Sequence, residues 1–583
     1  MSCLQEVNRA LAVHKQAVDR KVQRARGDPA FRAALMQKWQ ELQAGIEPVT
    51  TPSGLKLPSL ALPQTEEPGE IARFLYGEGM PGEFPFLNGI YPRCYAHHGP
   101  SGMAEEPTRL FAGLGLAEDT NARFHTLKQY QQSVRLSTAF DGPTLYGLDS
   151  DADGVFGKIG EGGVAIDTIE DMERLFAGFP LDDPHFSVSM TINGPAPIIL
   201  AMYVAAAERR FGPEILGKLR GTVQADVLKE VQAQNEMIFP LEPALRFLTD
   251  TVAYTTRHMP RWYPISISGY HIAEAGATPV QQAAYTLSNG FTYVELWQAQ
   301  GLDVDRFGPR LSFFLDCGLD LEYLALGRVC RKIWAIGMRE VFGAGERAQQ
   351  FRLHTQTSGR SLIARGFKNN LSRTAIQLML AYINATNSCH SNSADEPFTT
   401  PSEEYVRLAA NAQAILLEEA GLFKHISSVF TGSPGMKILE KALEQGISEE
   451  FQRIDTLGGV LAATEQRYQR SQIQASAHRY ESQIDQGIRP IIGLNRYRDL
   501  EERTAALTVV RTPSEKKRLQ IDRLQAFKER NKPAAGQALN ALTQVVELGG
   551  NVFEELLNTV QVCSLEQITE RLARSVGRFR PMV

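Results

Sequence analysis

Residues 265–275 run Ile-Ser-Ile-Ser-Gly-Tyr-His-Ile-Ala-Glu-Ala. A β-branched strand ends on Gly269, Tyr270 and His271, and the chain then turns helical. A phenol and an imidazole delivered side by side at a strand's end are placed for chemistry, and at first sight they suit acid/base or nucleophilic work. A lone histidine is more often a hydrogen-bonded core residue than a catalyst; Tyr270 beside it and Gly269 before it shift the balance towards function. Polar groups gather at other strand ends too. Thr191-Ile192-Asn193-Gly194-Pro195 follows one strand, Arg310 precedes another, and His354 to Gly359 closes a third. Gly221 to Asp226 and Asn387 to Glu396 are polar throughout much of their length. Any one of these could merely cap a helix or make a turn, but five in one region outgrow that account. They hold amides and hydroxyls rather than carboxylates, which suits binding a polar ligand better than hydrolysing one. Gly157 to Gly163 lacks both the P-loop ending and the dinucleotide glycine spacing. No His-Glu-x-x-His helix or Gly-x-Ser-x-Gly elbow occurs.

The elements that must carry these groups alternate. From about residue 86 to 430, short β-rich runs (Arg135–Phe140, His185–Met190, Ile265–Tyr270, Tyr293–Trp297, Leu311–Leu315, Arg352–Thr357) alternate with longer helical ones. That predicts a parallel α/β fold, and the length fits a closed (β/α)8 TIM barrel. Residues 1–85 read as an N-terminal helical arm and extended linker, 86–430 as the barrel, and 431–583 as a C-terminal helical appendage. Thr400-Pro401-Ser402-Glu403 has the N-cap, first-turn Pro and capping-box Glu that open a helix. Thr512-Pro513-Ser514-Glu515 repeats the pattern and opens a charged helix expected to stop before Pro533.

At 583 residues, 43% hydrophobic and 22% charged with a formal charge of −5, the chain reads as a soluble globular protein. Neither a nucleic-acid-binding surface nor a membrane span is indicated: the longest apolar stretch, 195–207, is too short to span a bilayer. Six scattered cysteines without Cys-x-x-Cys spacing argue against a disulfide framework or structural zinc, and the N-terminus lacks a signal peptide's apolar core. A cytoplasmic location is expected.

Taken together, Phe111-Ala112-Gly113, Leu136 to Asp141, Ser187 to Gly194, Gly221 to Gln224, Ser266 to His271, Pro309 to Phe314, His354 to Gly359 and Asp395-Glu396 resemble the substrate-binding chain of the adenosylcobalamin-dependent acyl-CoA mutases, the methylmalonyl-CoA and isobutyryl-CoA mutase family. The pieces keep their order over roughly residues 85–500. The resemblance implies a TIM barrel threaded by the pantetheine arm of CoA and capped by cobalamin. There a radical takes a hydrogen atom from the substrate, the thioester group migrates, and hydrogen returns. Such chemistry is the cofactor's, while the protein positions and shields it.

Carried over by motif, the catalytic residues are His271, on the thioester carbonyl, and Tyr270, against the adenosyl group. The resemblance implies that Tyr91, Phe111, Ser189, Thr191, Thr222, Gln224, Gln234, Arg310, Ser312 and Gln356 line the CoA path or acyl pocket. It places Phe140, Ala233, His354, Asn392 and Glu396 towards the cofactor. Arg93-Cys94-Tyr95-Ala96-His97-His98 departs from the family's usual run, so no individual CoA contact is carried over between 93 and 108.

Methylmalonyl-type mutases have an arginine where this chain has Gln234 and a tyrosine where it has Phe111. A free carboxylate in a dry pocket needs a charged, bidentate partner, which an amide does not supply. The pair matches the isobutyryl-CoA type, so a short uncharged acyl group is expected. Pivalyl-CoA/isovaleryl-CoA stays open, and Ala139 disfavours a 2-hydroxyacyl group.

The family's Asp-x-His-x-x-Gly cobalt motif has only a poor echo here, Asp183-Pro184-His185 with Val188 in place of the glycine. The resemblance therefore implies no cobalamin-binding flavodoxin-like domain in this chain and a separate small cobalamin-binding subunit as partner. A second large subunit, giving a heterotetramer, and a separate G-protein chaperone are further partners it allows. The competing readings are a non-catalytic scaffold subunit of a heteromeric methylmalonyl-CoA mutase and a barrel hydrolase. Retention of Tyr270, His271, Gln224 and Gln356 argues against the scaffold, and the lack of a nucleophile–base pair argues against the hydrolase.

Overall fold

The computed structural model describes residues 2–51, 53–92, 95, 108–128, 134–399, 401–421, 423, 428, 430–499 and 511–580. Two compact units emerge: Met1–Pro107 with Gly269–Pro397 and Glu403–Thr504, and Thr108–Ser268 with Phe398–Ser402 and Ala505–Val583.

In the first unit the chain opens on two helices that their caps delimit. Ser2 accepts from the Gln5 amide at the start of Cys3–Gly27, and Asp28 accepts from the Ala30 and Phe31 amides at the start of Pro29–Ala44. Their inner faces bury Val18, Val22, Leu35 and Trp39 together with Ile71 and Phe74. Further on, strands Leu311–Cys317, Arg352–Thr357 and Ser388–His390 pair in parallel. Helices Leu326–Glu340 and Asn369–Ile383 make the crossovers that parallel pairing requires. Behind the strands, Phe313 stacks on Phe351 at 3.9 Å and meets Trp334 edge-on at 4.7 Å.

Five parallel strands form the second unit's sheet, in the order Leu110–Ala112, Val134–Ala139, Phe186–Thr191, Gly221–Val223, Trp262–Tyr263. Pro264, which has no N–H to donate, separates the last of these from Ile265–Ser268. The parallel α/β class expected from the alternation is the class the chain adopts. Counting Trp262–Tyr263 and Ile265–Ser268 as one interrupted strand, the described residues supply eight parallel-strand positions. None of their helices is long and apolar enough to cross a membrane. Five of the six cysteines are free and buried, and Cys94 lies outside the described residues.

Thr400 lies outside the described residues, and the helix after it begins at Glu403. Three further expectations need correction. Tyr293–Trp297 is not a strand but part of the helix Pro279–Ala299, opened by a Thr278/Gln281 capping box with Pro279 in the first turn. Nearly all of that helix is buried, so its apolar residues show no polar face and a five-residue window mimics a strand. Thr512 does not cap the helix that follows, which begins at Ser514; its hydroxyl donates instead to the Gly160 carbonyl. That helix also runs through Pro533 to Leu548. Leu524 and Phe527 before the proline and Ala535, Leu542 and Val546 after it are all buried, so packing on both sides outweighs one lost backbone bond. Pro533 itself is exposed. Replacing it with alanine restores the amide and removes the ring clash, and the unfolding free energy is expected to rise by about 1–3 kcal/mol. Urea denaturation of the two proteins checks this; an unchanged midpoint would show that the helix relieves the proline locally.

Candidate active site

Strand pairing in the second unit sorts its residues into rows. Phe111 lies opposite Ser137, Ser137 opposite Ser189, Ser189 opposite Thr222, and Thr222 opposite Tyr263. In register-matched parallel strands such partners share a face, so three of the expected substrate-binding residues form one line across the sheet. The next row on that face pairs Ala139 with Thr191, and the preceding one pairs Arg135 with Ser187. The opposite face carries Leu136, Val188, Met190 and Val223, all buried. Parallel strands are ordinarily apolar on both faces because helices cover one and core fills the other. Here Ser189, Thr191 and Thr222 are only half-buried, so small polar side chains line a face where an ordinary parallel sheet packs Val and Ile. Arg109, half-buried nearby, donates to Ser187 Oγ at 3.0 Å and to the Leu136 carbonyl at 3.1 Å. Desolvation lowers its pKa to about 9.

Beyond the strand ends the hydrogen bonds continue inward. Gln224 Oε1 accepts from Asn193 Nδ2 at 2.9 Å, and Asn193 Oδ1 accepts from the Asp226 amide at 3.0 Å. The Asp226 carboxylate accepts from the amides of Ser268, at 2.7 Å, and Lys229. Lys229, fully buried, ion-pairs with buried Glu230, and its ammonium also donates to Gln234 Oε1. Glu230 in turn accepts from the Glu236 amide. Loss of solvent and the neighbouring Glu230 push the Glu236 carboxyl up to about 7. Ala233 is half-buried at the end of helix Val227–Gln232. Phe140 is buried and bridges to Val164.

In the first unit Gly269 caps the short helix Tyr270–Glu274. A methyl group on Gly269 would meet Thr286 Oγ1 at 2.3 Å and Leu315 Cδ2 at 2.8 Å, so close packing excludes a side chain there. Tyr270 stacks flat on Phe314, centroids 4.8 Å apart and planes 3° from parallel. His271 stands edge-on to both rings, at 5.4 and 5.8 Å. Both residues are half-buried and keep an open side. Gln356 Nε2 donates to the Tyr270 hydroxyl at 2.9 Å and to Asn392 Oδ1 at 2.8 Å. Burial, with Glu274 and Asp316 nearby, raises the Tyr270 pKa well above that of an ordinary phenol, so it acts as a neutral hydroxyl.

Glu274 accepts from Ser358 Oγ at 3.0 Å and from the Arg360 amide at 2.8 Å, and burial raises its pKa. Gly359, between them, has its missing Cβ position 2.8 Å from Glu274 Oε2 and 3.4 Å from both the Tyr270 hydroxyl and Asn392 Nδ2. His354 Nδ1 lies 2.7 Å from Ser388 Oγ, and its ring is 4.9 Å from Phe314. Register places Phe314, His354 and Ser388 in one row, Ser312 and Arg352 in another, and Asp316, Gln356 and His390 in a third.

Tyr270, His271, His354, Gln356 and Asn392 are thus one cluster. Arg310, half-buried, ends the turn Gly308–Arg310 just before Ser312. Glu396 is exposed on the chain surface, with Asp395 and Glu274 among the causes that, after local loss of solvent, push its carboxyl upward. Tyr91 packs against Phe86, Ile90 and Ala335; residues 93–94 and 96–107 lie outside the described residues. Sequence reading missed Ser137, Tyr263, Arg109, Glu274 and His390. The signal for Ser137, Tyr263 and His390 is the pairing register, and for Arg109 and Glu274 it is hydrogen bonds to residues far along the chain; no local pattern carries either.

The cluster fits an uncharged polar ligand with a flat face better than a metal. Its donors are a phenol, two amides and imidazoles around one stacked ring, with a glycine cradle beneath. Among the described residues the one carboxylate group with metal-ligand spacing is Asp149, Asp151 and Glu566. Lys528 already bonds both aspartates there. His185, of the Asp183-Pro184-His185 segment, is exposed ahead of its strand, its amide donating to Asp183.

Residues 50–578 match the methylmalonyl-CoA mutase family profile. The fused isobutyryl-CoA mutase of Geobacillus kaustophilus (strain HTA426) is 46% identical over 556 residues, covering 91% of this chain and 50% of that protein. The methylmalonyl-CoA mutase large subunit of Streptomyces virginiae is 39% identical, covering 86% of this chain and 68% of that one. The 2-hydroxyisobutanoyl-CoA mutase large subunit of Aquincola tertiaricarbonis is 40% identical over 73% of this chain and 74% of its own. The chain spans about half the length of the fused relatives it matches.

Proposed function

The chain belongs to the methylmalonyl-CoA mutase family, and from that premise we propose that it is the substrate-binding, catalytic part of an adenosylcobalamin-dependent mutase that interconverts isobutyryl-CoA and n-butyryl-CoA. The observation that carries this reading is the row Phe111, Ser137, Ser189, Thr222: a parallel sheet with the half-open hydroxyls of Ser189 and Thr222 suits a long, polar, uncharged arm such as pantetheine. When bound, the cofactor supplies the radical that removes a substrate hydrogen atom. The chain's own residues hold and shield. In this reading His271 donates to the thioester carbonyl, Tyr270 presses its neutral ring on the adenosyl group, and Gln356 and Asn392 keep that ring in place. Ser189, Thr191, Thr222, Gln224, Arg310, Ser312 and Tyr91 line the CoA path. Phe140, Ala233, His354 and Glu396 face the cofactor.

An uncharged acyl group is favoured by Gln234. Its amide oxygen accepts from Lys229, whose charge Glu230 already offsets, so no cation is left over there for a substrate carboxylate. Phe111, with no hydroxyl, agrees. The alternative substrates are pivalyl-CoA and isovaleryl-CoA, and the alternative role is that of a scaffold subunit. The cobalt ligand is proposed to come from a separate small chain; two relatives are named as large subunits. The relatives named as fused favour an alternative in which one polypeptide carries both parts. A cytoplasmic enzyme, with a second large subunit and a G-protein chaperone as further partners, completes the reading.

The test combines this chain with a small cobalamin-binding chain and assays isobutyryl-, n-butyryl-, pivalyl-, isovaleryl- and methylmalonyl-CoA. Isobutyryl-CoA is expected to isomerise only when cobalamin and the small chain are both present. Turnover of methylmalonyl-CoA alone would overturn the substrate reading. Gln234→Arg, which sets a second cation beside Lys229, is expected to lower kcat/KM for isobutyryl-CoA roughly 10–100-fold.

A further inference from the structure

In the first unit, the loop after strand Arg352–Thr357, which brings Gly359 near Tyr270, turns Ser358, Arg360 and Ser361 to a cleft of about 650 Å³. That volume is in the usual range for small-molecule sites. We infer that this cleft binds a small organic anion, a phosphate ester or a carboxylate carried on an apolar body.

Charge is the first argument. Three guanidinium groups line the cleft, those of Arg360, Arg373 and Arg489, against two carboxylates, Asp316 and Asp320. Asp320 is spoken for: it pairs with Arg489 at 2.8 Å. Asp316 is buried and accepts from the Tyr323 hydroxyl at 2.8 Å; burial and the nearby Glu274 raise its pKa well above the carboxylate range. Arg373 donates only to neutral acceptors, Asn370 Oδ1 and the Ile492 carbonyl, each at 2.7 Å. Arg360 Nη1 is buried with no hydrogen-bond partner among the described residues. Arg360 and Arg489 both lie over the Tyr480 ring, at 4.4 and 4.5 Å from its centroid. Asp320 already offsets Arg489 and Glu274 lies near Arg360, but a buried guanidinium N–H without an acceptor is costly. An anion accepting from Arg360 would relieve it, and planar bidentate donors suit phosphate and carboxylate alike.

Apolar surface is the second argument. Leu319, Ile376, Ile488 and Ile492 of the same lining are exposed, at 43%, 54%, 67% and 45%. Four large aliphatic side chains open to water around one charged cleft form a contiguous patch rather than scattered exposure. They call for a ligand with an apolar part. The loop also gives the cleft a route to Tyr270, because Ser358 and the Arg360 amide hold Glu274.

Calorimetric titration of the full chain with phenyl phosphate, benzoate and uncharged phenol tests this. At least one of the two anions is expected to bind at a single site with a Kd of about 1 mM or tighter, and phenol much more weakly. The tighter anion identifies the headgroup. Arg360→Gln and Ile376→Glu are each expected to weaken binding at least 10-fold; position 376 is exposed, so the second variant tests the cleft without disturbing the core. Circular dichroism confirms that both variants are folded. Absence of heat with both anions, equal binding of phenol, or binding that neither substitution changes would overturn the assignment.

Discussion

If His271 holds the thioester carbonyl as proposed, changing it to alanine is expected to lower kcat/KM of the reconstituted enzyme for isobutyryl-CoA by roughly 10²–10³-fold, the usual consequence of deleting one preorganised donor to a reacting carbonyl. The imidazole is not packed on all sides. It is half-buried on a five-residue helix and meets Phe314 and Tyr270 only by its edge. The loss should therefore appear in turnover, with the melting temperature and cobalamin affinity nearly unchanged. His271→Gln keeps an N–H at similar reach and is expected to recover part of the loss. Tyr270→Phe makes a useful contrast: the stack on Phe314 survives, and Gln356 keeps its bond to Asn392. Removing the hydroxyl alone should thus cost less than removing the imidazole. Steady-state kinetics on the three variants decide the matter. A His271→Ala enzyme within threefold of the parent would remove His271 from the thioester.

How far the sequence reaches is clear from the same residues. The strand-to-helix turn around Tyr270 and His271 was legible because a β-branched run, a glycine and a helix start are local signals, although the strand ends at Ser268 and Tyr270 already opens the helix. Ser137, Tyr263 and His390 were not, because nothing near them in sequence says which strand lies opposite. Only the register aligns Ser137 with Ser189 and His390 with Gln356. Tyr293–Trp297 misled because a helix buried on all sides shows no period. Pro533 misled because local chemistry was outweighed by packing before and after it. The contacts that hold Tyr270's surroundings, Glu274 to Ser358 and Arg360, join positions about 85 apart in the chain, beyond the reach of any pattern.

Lys229 should show the largest effect on stability. Its ammonium and the Glu230 carboxylate are 0% and 1% exposed. Around them the polar groups form a continuous chain, from Gln224 through Asn193 and Asp226 to the Lys229 amide, and from the Lys229 ammonium to Glu230 and Gln234. Lys229→Met keeps the length of the side chain but leaves the Glu230 carboxylate unpaired in the interior. Breaking a buried pair in this way costs about 3–5 kcal/mol, a large part of the roughly 5–15 kcal/mol that holds a domain folded. The double variant Lys229→Met/Glu230→Gln removes both charges and leaves an amide oxygen to accept from the Glu236 amide. It is expected to regain most of the loss. It still lacks the donor that fixes Gln234, so its kcat/KM for isobutyryl-CoA should stay depressed while its stability recovers. Urea unfolding and acyl-CoA kinetics on the single and double variants separate the two roles. If stability and activity recovered together, the lysine would serve only the fold; if the single variant unfolded at the parent's midpoint, the buried pair would carry no structural weight.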